Sequence, residues 1–260
     1  MMRESSLARR LIRDWWLLVG LLMLWIAASI FGWLPRDEFP DLQSLAGAAV
    51  QLTTGKGGVL GSLIANTGVS VGRFAAGYTL SIIIGLTIGL LMATSAIVAQ
   101  LLLPILRFLY PIPSLAWTPL VIMWCGLGEK SVIVLIFLTA VWPVIYGAYD
   151  GFRAIPTKYL NVAIQLDATW LVRVRKVMVP AALPMLISSL RISHGMGWRA
   201  IIGAEMIASL SGLGYMLNTA GQLRRPDAIV LGMIVIAVLN VILDRILFGS
   251  IERRLARRGI

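Results

Sequence analysis

The sequence is poor in the side chains on which most enzymes and metalloproteins rely. Cys125 is the only cysteine and His194 is the only histidine among 260 residues. A single cysteine excludes an intrachain disulfide and a thiolate metal cluster, and a single histidine excludes a two-histidine metal motif. We therefore predict no metal site in this chain.

Charged residues are also scarce. They make up 13% of the chain, whereas 58% of the residues are hydrophobic and the mean hydropathy is +0.86. Soluble domains are usually about 45–50% apolar, so this composition is typical of a membrane protein. The net charge of +11 would indicate nucleic-acid binding in a soluble chain, but basic cytoplasmic loops produce the same excess. We expect contact with membrane lipid and no nucleic-acid partner.

The apolar residues form six long runs. The first, residues 15–34, follows a basic segment at residues 1–14. At about 20 residues it is longer than the apolar core of a signal peptide, so we interpret it as a retained transmembrane helix. A proline-broken segment, Pro111–Gly128, is tolerated at membrane depth only beside protein or a water-filled cavity. The other five predicted spans are Phe74–Ala93, Ile97–Tyr110, Ser131–Tyr149, Pro184–Ala208 and Ala228–Phe248.

Lysine and arginine are distributed unevenly between the loops. If both termini are cytoplasmic, the cytoplasmic segments hold thirteen of these residues and the external segments hold five. Because cytoplasmic loops carry an excess of Lys and Arg, we predict this orientation, with both termini in the cytoplasm. The loop at residues 150–183 then faces the cytoplasm between spans four and five, and residues 251–260 form a basic cytoplasmic tail.

Two short stretches resemble catalytic or nucleotide motifs. Gly68–Gly72 matches G-x-S-x-G, which marks a hydrolase nucleophile only at a strand-to-helix turn with acid and histidine partners. Here it leads into a predicted membrane helix. Thr54–Gly57 resembles a phosphate loop, but Val50 stands where the first glycine is required. No nucleotide site is visible, so any ATP that drives this protein would be bound by a partner.

Span two carries small residues at every fourth position, at Gly77, Ser81, Gly85 and Gly89. This spacing aligns them on one helix face, where a second helix can approach closely. The alternative is a chance distribution, because glycine is common in membrane helices. Both interpretations concern packing rather than chemistry.

The cytoplasmic loop has the pattern of two short amphipathic helices. Pro156 can begin the first helix, and Asp167 can adopt the left-handed conformation that ends it. Thr169 is a candidate N-cap for the second helix, which presents an apolar stripe opposite Arg173 and Lys176. Such a helix can lie on anionic lipid or dock on a protein, and the pattern alone leaves both possibilities open.

The spacing of this loop resembles the E-A-A-x-x-x-G loop of ABC-importer permeases, in which a proline follows the glycine by thirteen residues. Asn161-Val162-Ala163 falls on E-A-A, Asp167 on the glycine and Pro180 on the proline, so Asn and Asp replace the usual Glu and Gly. The similarity covers residues 60–250, the predicted permease core. Four further stretches resemble the nitrate, sulfonate and taurine branch of these permeases: Pro111–Leu120, Trp124–Gly128, Gly203–Ala208 and Ser211–Tyr215.

The resemblance implies an all-α membrane protein with six transmembrane helices, the type I ABC importer permease fold and cytoplasmic coupling helices. The implied partners are a second copy of the chain, a cytoplasmic ATPase dimer that binds ATP and Mg²⁺, and a periplasmic or lipid-anchored substrate-binding protein. This chain itself would contain no catalytic residue and bind no cofactor, and it would lie in a bacterial inner (plasma) membrane. The implied substrate is a small anionic or organic nutrient of the sulfonate, taurine, nitrate, bicarbonate or carboxylate class. The residues implied to couple to the ATPase are Leu160, Asn161, Val162, Ala163, Leu166, Asp167, Ala168, Thr169 and Arg173.

Charged residues inside span five are candidates for the translocation pathway, because intramembrane charges are unfavourable by about 2.5–3.5 kcal/mol and mark functional sites. We expect Arg199 to favour anions through charge-assisted hydrogen bonds. The alternative is a structural arginine satisfied by carbonyl oxygens or by a carboxylate such as Glu205 or Asp150. The predicted pathway residues are His194, Trp198, Arg199, Glu205, Pro111, Pro113 and Trp117.

An ion-coupled secondary transporter that acts without an ATPase is the alternative function. The sequence shows no convincing internal repeat, which many such transporters contain. An intramembrane hydrolase, suggested by the G-x-S-x-G match alone, is the least supported hypothesis.

Overall fold

The computed structural model describes residues 39–257, together with positions 16, 20, 23–25, 27 and 35. The described residues form helices and loops and no β-strand, so the predicted all-α class is confirmed. Two short 3-10 helices, Gly58–Leu60 and Ser114–Trp117, and one π-helical turn, Val174–Met178, accompany the α-helices. The α-helices are α1 (Leu42–Thr53), α2 (Leu63–Thr94), α3 (Ala96–Leu109), α4 (Thr118–Cys125), α5 (Glu129–Arg153), α6 (Thr157–Gln165), α7 (Trp170–Arg173), α8 (Val179–Ala208), α9 (Leu213–Gln222) and α10 (Pro226–Arg257).

Three described segments are long and apolar enough to cross a membrane, and two bent helix pairs bring the total to as many as five. These candidates, assigned by length and composition, correspond to predicted spans two to six. Span one, residues 15–34, and the segment 1–14 lie outside the described residues, apart from the isolated positions given above. The three single candidates are Gly58–Thr94, Glu129–Arg153 and Pro226–Gly249, and the pairs are Ala96–Leu109 with Ser114–Cys125 and Trp170–Ala208 with Leu213–Gln222.

Several helices extend beyond the predicted spans. Helix α2 begins at Leu63 rather than at Phe74, because the polar residues Asn66 and Arg73 are buried and hydrogen-bonded inside the fold. Helix α8 passes through Pro184. Helix α10 continues through Arg257, so most of the predicted tail is helical.

The proline-rich segment after span three breaks the helical path, as predicted. Helix α3 ends at Leu109, and the helices that follow Pro113 are bent from it by 89°. Both Pro111 and Pro113 lack a backbone N–H and disfavour a helical residue before them. The chain therefore changes direction here instead of forming one straight helix.

The chain divides into two compact units, of which one comprises Met1–Leu63 and Leu217–Ile234. In its described part, the Asp41 carboxylate accepts a hydrogen bond from the Ser44 N–H (2.7 Å) and caps α1. Leu45, Ala48 and Leu52 form the buried face of this amphipathic helix. Burial of that face stabilises α1 within its unit.

The other unit comprises Ile64–Met216 and Val235–Ile260, and α5 lies at its centre. The small-residue face of α2 packs against α5. A Cβ atom added at Gly77 would lie 2.8 Å from the Ile136 Cβ, and one at Gly85 would lie 2.7 Å from the Val144 Cβ. The predicted close approach of a second helix is confirmed. On its other side α5 contacts α8, where Gly147 meets Ser189.

We expect Gly85→Ala to lower the free energy of unfolding by about 1–3 kcal/mol, because the new methyl group overpacks the contact between α2 and α5. Gly72→Ala is the matched control, since a Cβ at Gly72 meets no atom within 4 Å and alanine favours the helix. Thermal unfolding in detergent measures both changes. Equal effects at the two positions would contradict this packing.

Candidate functional site: a loop turn, a buried carboxylate and an exposed arginine

The predicted coupling loop begins with α6 and ends in a turn at Asp167. Asp167 has φ +52°, the left-handed conformation predicted from the sequence. Its N–H donates to the Ile164 carbonyl (2.9 Å), and the Ala168 N–H donates to the Ala163 carbonyl (3.0 Å). This is the Schellman arrangement, which satisfies carbonyl groups that a helix end leaves unpaired. Aspartate therefore maintains the turn that glycine makes in the E-A-A pattern.

The second predicted helix of the loop is not a separate element. Thr169 occupies the predicted N-cap position, although its side chain makes no capping hydrogen bond. Helix α7 has only four residues and passes through the π-helical turn directly into α8. Pro180 lies in the first turn of α8, where a missing N–H has no intrahelical partner to lose. The Asp167 turn is therefore joined to a candidate membrane span by one continuous helical path.

A groove of about 520 Å³ opens beside this turn; we call it the coupling groove. Its apolar side chains are unusually exposed: Val162 is 54% exposed, Leu166 is 75% exposed and Tyr159 is 51% exposed. Trp170 and Leu171, which follow the turn, are also exposed. The groove is lined by Tyr159, Val162, Ala163, Leu166, Lys176, Val177, Pro180 and Ala181.

The nine predicted coupling residues differ in exposure. Ala163 is buried, whereas Leu160, Ala168 and Arg173 are half-buried. Asp167 forms no ion pair with any residue that the structure describes, so its carboxylate is not neutralised by Arg173. The exposed members are Asn161, Val162, Leu166, Asp167 and Thr169.

The Glu205 carboxylate is fully buried and lies at the centre of a hydrogen-bond network. It accepts hydrogen bonds from the Ser70 hydroxyl (2.8 Å), from Arg73 Nη1 (3.0 Å) and from the Gly214 N–H (2.9 Å). Arg73 Nη1 also donates to the Ser211 carbonyl (2.8 Å). We call these residues the carboxylate cage. It ties α2 and α8 to the loop before α9.

Glycine is required in that loop for steric reasons. Gly212 has φ +103°, and a Cβ atom there would collide with the Glu205 carboxylate. A Cβ at Gly214 would lie 2.7 Å from the Glu205 Cβ. The two glycines allow the loop backbone to approach the carboxylate closely.

The G-x-S-x-G match is part of the carboxylate cage and lies within α2. The Ser70 hydroxyl donates to Glu205 and accepts from the Leu213 N–H (2.9 Å). A buried hydroxyl within a helix, without a histidine partner, does not have the geometry of a hydrolase nucleophile. The hydrolase hypothesis is wrong.

Two predicted pathway residues lie in an aromatic core. His194 is 1% exposed and Trp198 is 2% exposed. The Phe74 ring stands edge-to-face against both rings, at centroid distances of 5.2 Å, and the Trp198 indole donates to the Ile236 carbonyl (3.2 Å). The side chains of His194, Trp198 and Glu205 are therefore buried by other residues of the same chain.

The remaining pathway predictions lie nearer the surface. Pro111 and Pro113 line a cavity of about 270 Å³ that also contacts Met196; we call it the Pro111 cavity. Trp117 is half-buried against the core. Arg199 is exposed, and its Nε donates to the Gly195 carbonyl of its own helix (2.9 Å).

Arg199 and the Pro111 cavity lie on the same side of α8. Met196 precedes Arg199 by three residues and Gly203 follows it by four, so the three share a helix face. Met196 lines the cavity, and a Cβ at Gly203 would lie 3.0 Å from the Leu115 side chain. Arg199 therefore projects from the face of α8 that flanks the broken segment.

Residues 81–257 match the family model described as binding-protein-dependent transport system inner membrane component. The match covers more than half of the 260-residue chain. The chain belongs to this family. It is a permease subunit of an ABC importer, as the loop resemblance predicted.

Curated relatives agree with the family assignment. The permease is 37% identical over 186 residues to a putative ABC transporter permease protein of Methanocaldococcus jannaschii, covering 71% of this chain and 70% of that protein. It is 36% identical to a putative aliphatic sulfonates transport permease protein of Bacillus subtilis, covering 76% and 71%. It is 30% identical to the taurine transport system permease protein of Escherichia coli, covering 94% and 85%.

A solved structure supports the predicted fold. The methionine ABC transporter MetNI, in inward-facing conformations, matches the permease with a TM-score of 0.57 at 20% identity. The match covers 70% of this chain and 92% of that chain. At this identity the likeness concerns the fold alone, and it confirms the importer permease fold. The secondary-transporter alternative is not favoured.

Sequence reasoning missed two residues that neutralise charges in the permease. Arg73 pairs with Glu205, and Asp244 on α10 binds Arg191 on α8 through two contacts of 2.9 and 2.5 Å. Asp244 lies within predicted span six. Because an acid in an apolar span is almost always paired, a search for its basic partner could have found this contact.

Proposed function

We propose that this permease forms, with a second copy of itself, the translocation pathway of an ATP-driven importer for a small anionic nutrient. A cytoplasmic ATPase dimer would bind ATP and Mg²⁺, and a periplasmic or lipid-anchored binding protein would deliver the substrate. Closure of the ATPase dimer pushes the two coupling loops and opens the pathway to the other side, a rigid-body two-state change. This chain contributes no catalytic group.

The exposed coupling groove is the observation that carries this proposal. Exposed apolar patches mark protein or membrane contacts. Asp167 is exposed next to Leu166, and the loop resembles the ATPase-docking loop of ABC-importer permeases. We therefore propose that the groove docks on the ATPase rather than lying flat on lipid, and that a basic side chain of the ATPase complements Asp167.

The orientation proposed from the basic loops is consistent with this docking. With both termini in the cytoplasm, the coupling groove, which includes Lys176, and the neighbouring Arg175 lie on the cytoplasmic side of the inner membrane. Lys and Arg concentrate on that side in membrane proteins. The external ends of the spans then face the binding protein.

Arg199 is the proposed anion-selecting residue of the pathway. Its guanidinium is exposed, whereas His194, Trp198 and Glu205 are enclosed within the chain. Guanidinium groups bind oxyanions through paired charge-assisted hydrogen bonds. Relatives named for sulfonates and taurine transport support a sulfonate-like or comparable small anion as substrate.

We expect Arg199→Gln to reduce uptake of the anion about tenfold, the effect of losing one charge-assisted contact. Arg199→Lys is the matched control, because it keeps the charge and loses only the planar donor pair. Uptake is measured with the assembled transporter in proteoliposomes. Unchanged uptake and affinity in a folded Arg199→Gln complex would exclude Arg199 from the pathway.

Co-purification tests the partnership itself. We expect the tagged permease to retain a stoichiometric ATPase subunit whose hydrolysis rate changes when the permease is present. Isolation of the intact permease without any ATPase, together with ion-driven transport by the chain alone, would support the secondary-transporter alternative instead.

A further inference from the structure

A cavity of about 560 Å³ lies where the ends of three helices meet; we call it the Arg153 cavity. Its walls come from the last turn of α2, the first turns of α3 and the last turns of α5. Met92, Ala99 and Leu103 line its apolar part, and Gln100 and Arg153 line its polar part. In the orientation proposed above, on which this inference rests, all three helix ends lie at the cytoplasmic surface of the membrane.

Arg153 is held in a defined position at this cavity. Its Nη1 donates to the Tyr149 hydroxyl (2.6 Å), and its guanidinium carbon lies 5.3 Å from the centre of the Tyr149 ring. A guanidinium has several N–H donors in a planar fork, so it can bind an anionic oxygen while keeping the contact with tyrosine. Asp150, three residues earlier on α5, does not line the cavity.

The apolar lining of the cavity is suited to a hydrocarbon chain. Ala96, Ala99 and Leu103 line the cavity and follow one another at three- and four-residue spacing, so they share one face of α3. Ala96 is exposed and Leu103 is half-buried. The polar end of the cavity thus adjoins an apolar helix face that runs away from the proposed cytoplasmic side.

We propose that the Arg153 cavity binds an anionic phospholipid of the cytoplasmic leaflet. The phosphate accepts hydrogen bonds from the Arg153 guanidinium and the Gln100 amide, and one acyl chain lies against Met92, Ala99 and Leu103. Basic pockets between transmembrane helices on the cytoplasmic side are suited to such headgroups. A free inorganic anion would form hydrogen bonds with Arg153 but would make no apolar contact with the cavity walls.

Native mass spectrometry of the full-length chain in detergent, titrated with dioleoyl phosphatidylglycerol, tests this site. We expect Arg153→Gln to raise the dissociation constant of the bound lipid about tenfold. Lys158→Gln removes the same charge from the same proposed side, outside the cavity, and should change that constant less than about twofold. Ala96→Leu fills the exposed mouth of the cavity without changing charge, and we expect it to weaken lipid binding as well.

Two further arms identify the occupant. Dioleoyl phosphatidylcholine carries the same phosphate but also a choline cation, so it should bind more weakly than phosphatidylglycerol to the unmodified chain. Arg153→Gln should weaken the binding of phosphatidylcholine less than it weakens that of phosphatidylglycerol. Millimolar inorganic phosphate should not displace the lipid. Any of three results would overturn the proposal. The two lipids could bind equally well, or phosphate could displace the lipid. The third is that neither Arg153→Gln nor Ala96→Leu changes the dissociation constant of the lipid in folded protein. The titration uses neither ATPase nor substrate, so its failure leaves the proposed transport function untouched.

Discussion

Glu205→Gln is expected to lower the free energy of unfolding of the permease by about 3–5 kcal/mol, the effect of removing one partner of a buried ion pair. The Glu205 side chain is 0% exposed and that of Arg73 is 5% exposed. The amide retains the size of the side chain but removes the only buried carboxylate beside Arg73 among the described residues, and leaves it with the exposed Glu129 carboxylate at 3.9 Å. It also weakens the bonds from Ser70 and Gly214. Denaturant-induced unfolding in mixed micelles measures the change.

Glu129→Gln is the matched control for this prediction. The Glu129 carboxylate lies 3.9 Å from Arg73 Nη2 but is 72% exposed. Exposed pairs contribute about 0–1 kcal/mol, so this change should leave stability nearly unaltered. A double variant, Arg73→Leu with Glu205→Leu, should be less destabilised than Glu205→Gln because it leaves no buried charge. Similar losses for Glu129→Gln and Glu205→Gln would show that burial is not the source of the effect.

Val162→Asp is expected to abolish coupling, with ATP-dependent uptake reduced by more than about tenfold. Val162 lies in the coupling groove and is 54% exposed, so the chain should fold normally with aspartate there. The new carboxylate would be desolvated, without a partner, in an apolar contact with the ATPase. The Ala163→Asp variant should uncouple as well, but Ala163 is 7% exposed, so that change would also disturb the end of α6.

Gln165→Asp controls for the added charge. Gln165 belongs to the same helix and is exposed, but it does not line the coupling groove. ATPase activity, uptake and subunit co-purification should be measured for both variants. Normal uptake by Val162→Asp with the ATPase still bound would remove the groove from the coupling mechanism, as would equal losses for the two variants.

The long apolar helices α2, α3, α5, α8 and α10 could be predicted from the sequence because long apolar runs have few alternatives in a membrane, whereas the shorter helices α1 and α9 were not predicted. The start of α2 could not be predicted either. Asn66 and Arg73 are polar residues that local sequence assigns to a loop. In the fold they form hydrogen bonds with Gly212 and Glu205, which are far away in the chain. Local polarity does not reveal such long-range partners, so the predicted span began at Phe74, eleven residues after the observed start.

The parts of the candidate site also differ in how well the sequence predicts them. The Asp167 turn was predictable because its conformation depends on neighbouring residues and backbone chemistry. The environments of His194, Trp198 and Glu205 were not predictable, because helical spacing gives a shared face but not which face points inward. The buried face of α8 is fixed by tertiary contacts, including the indole of Trp198 with α10.

The most direct test of the central claim is anion uptake into proteoliposomes that contain the permease, its ATPase and its binding protein. We predict that uptake requires ATP and all three components, and that an imposed proton or sodium gradient does not replace ATP. Uptake by the permease alone, driven by an ion gradient and unaffected by ATP, would contradict the account.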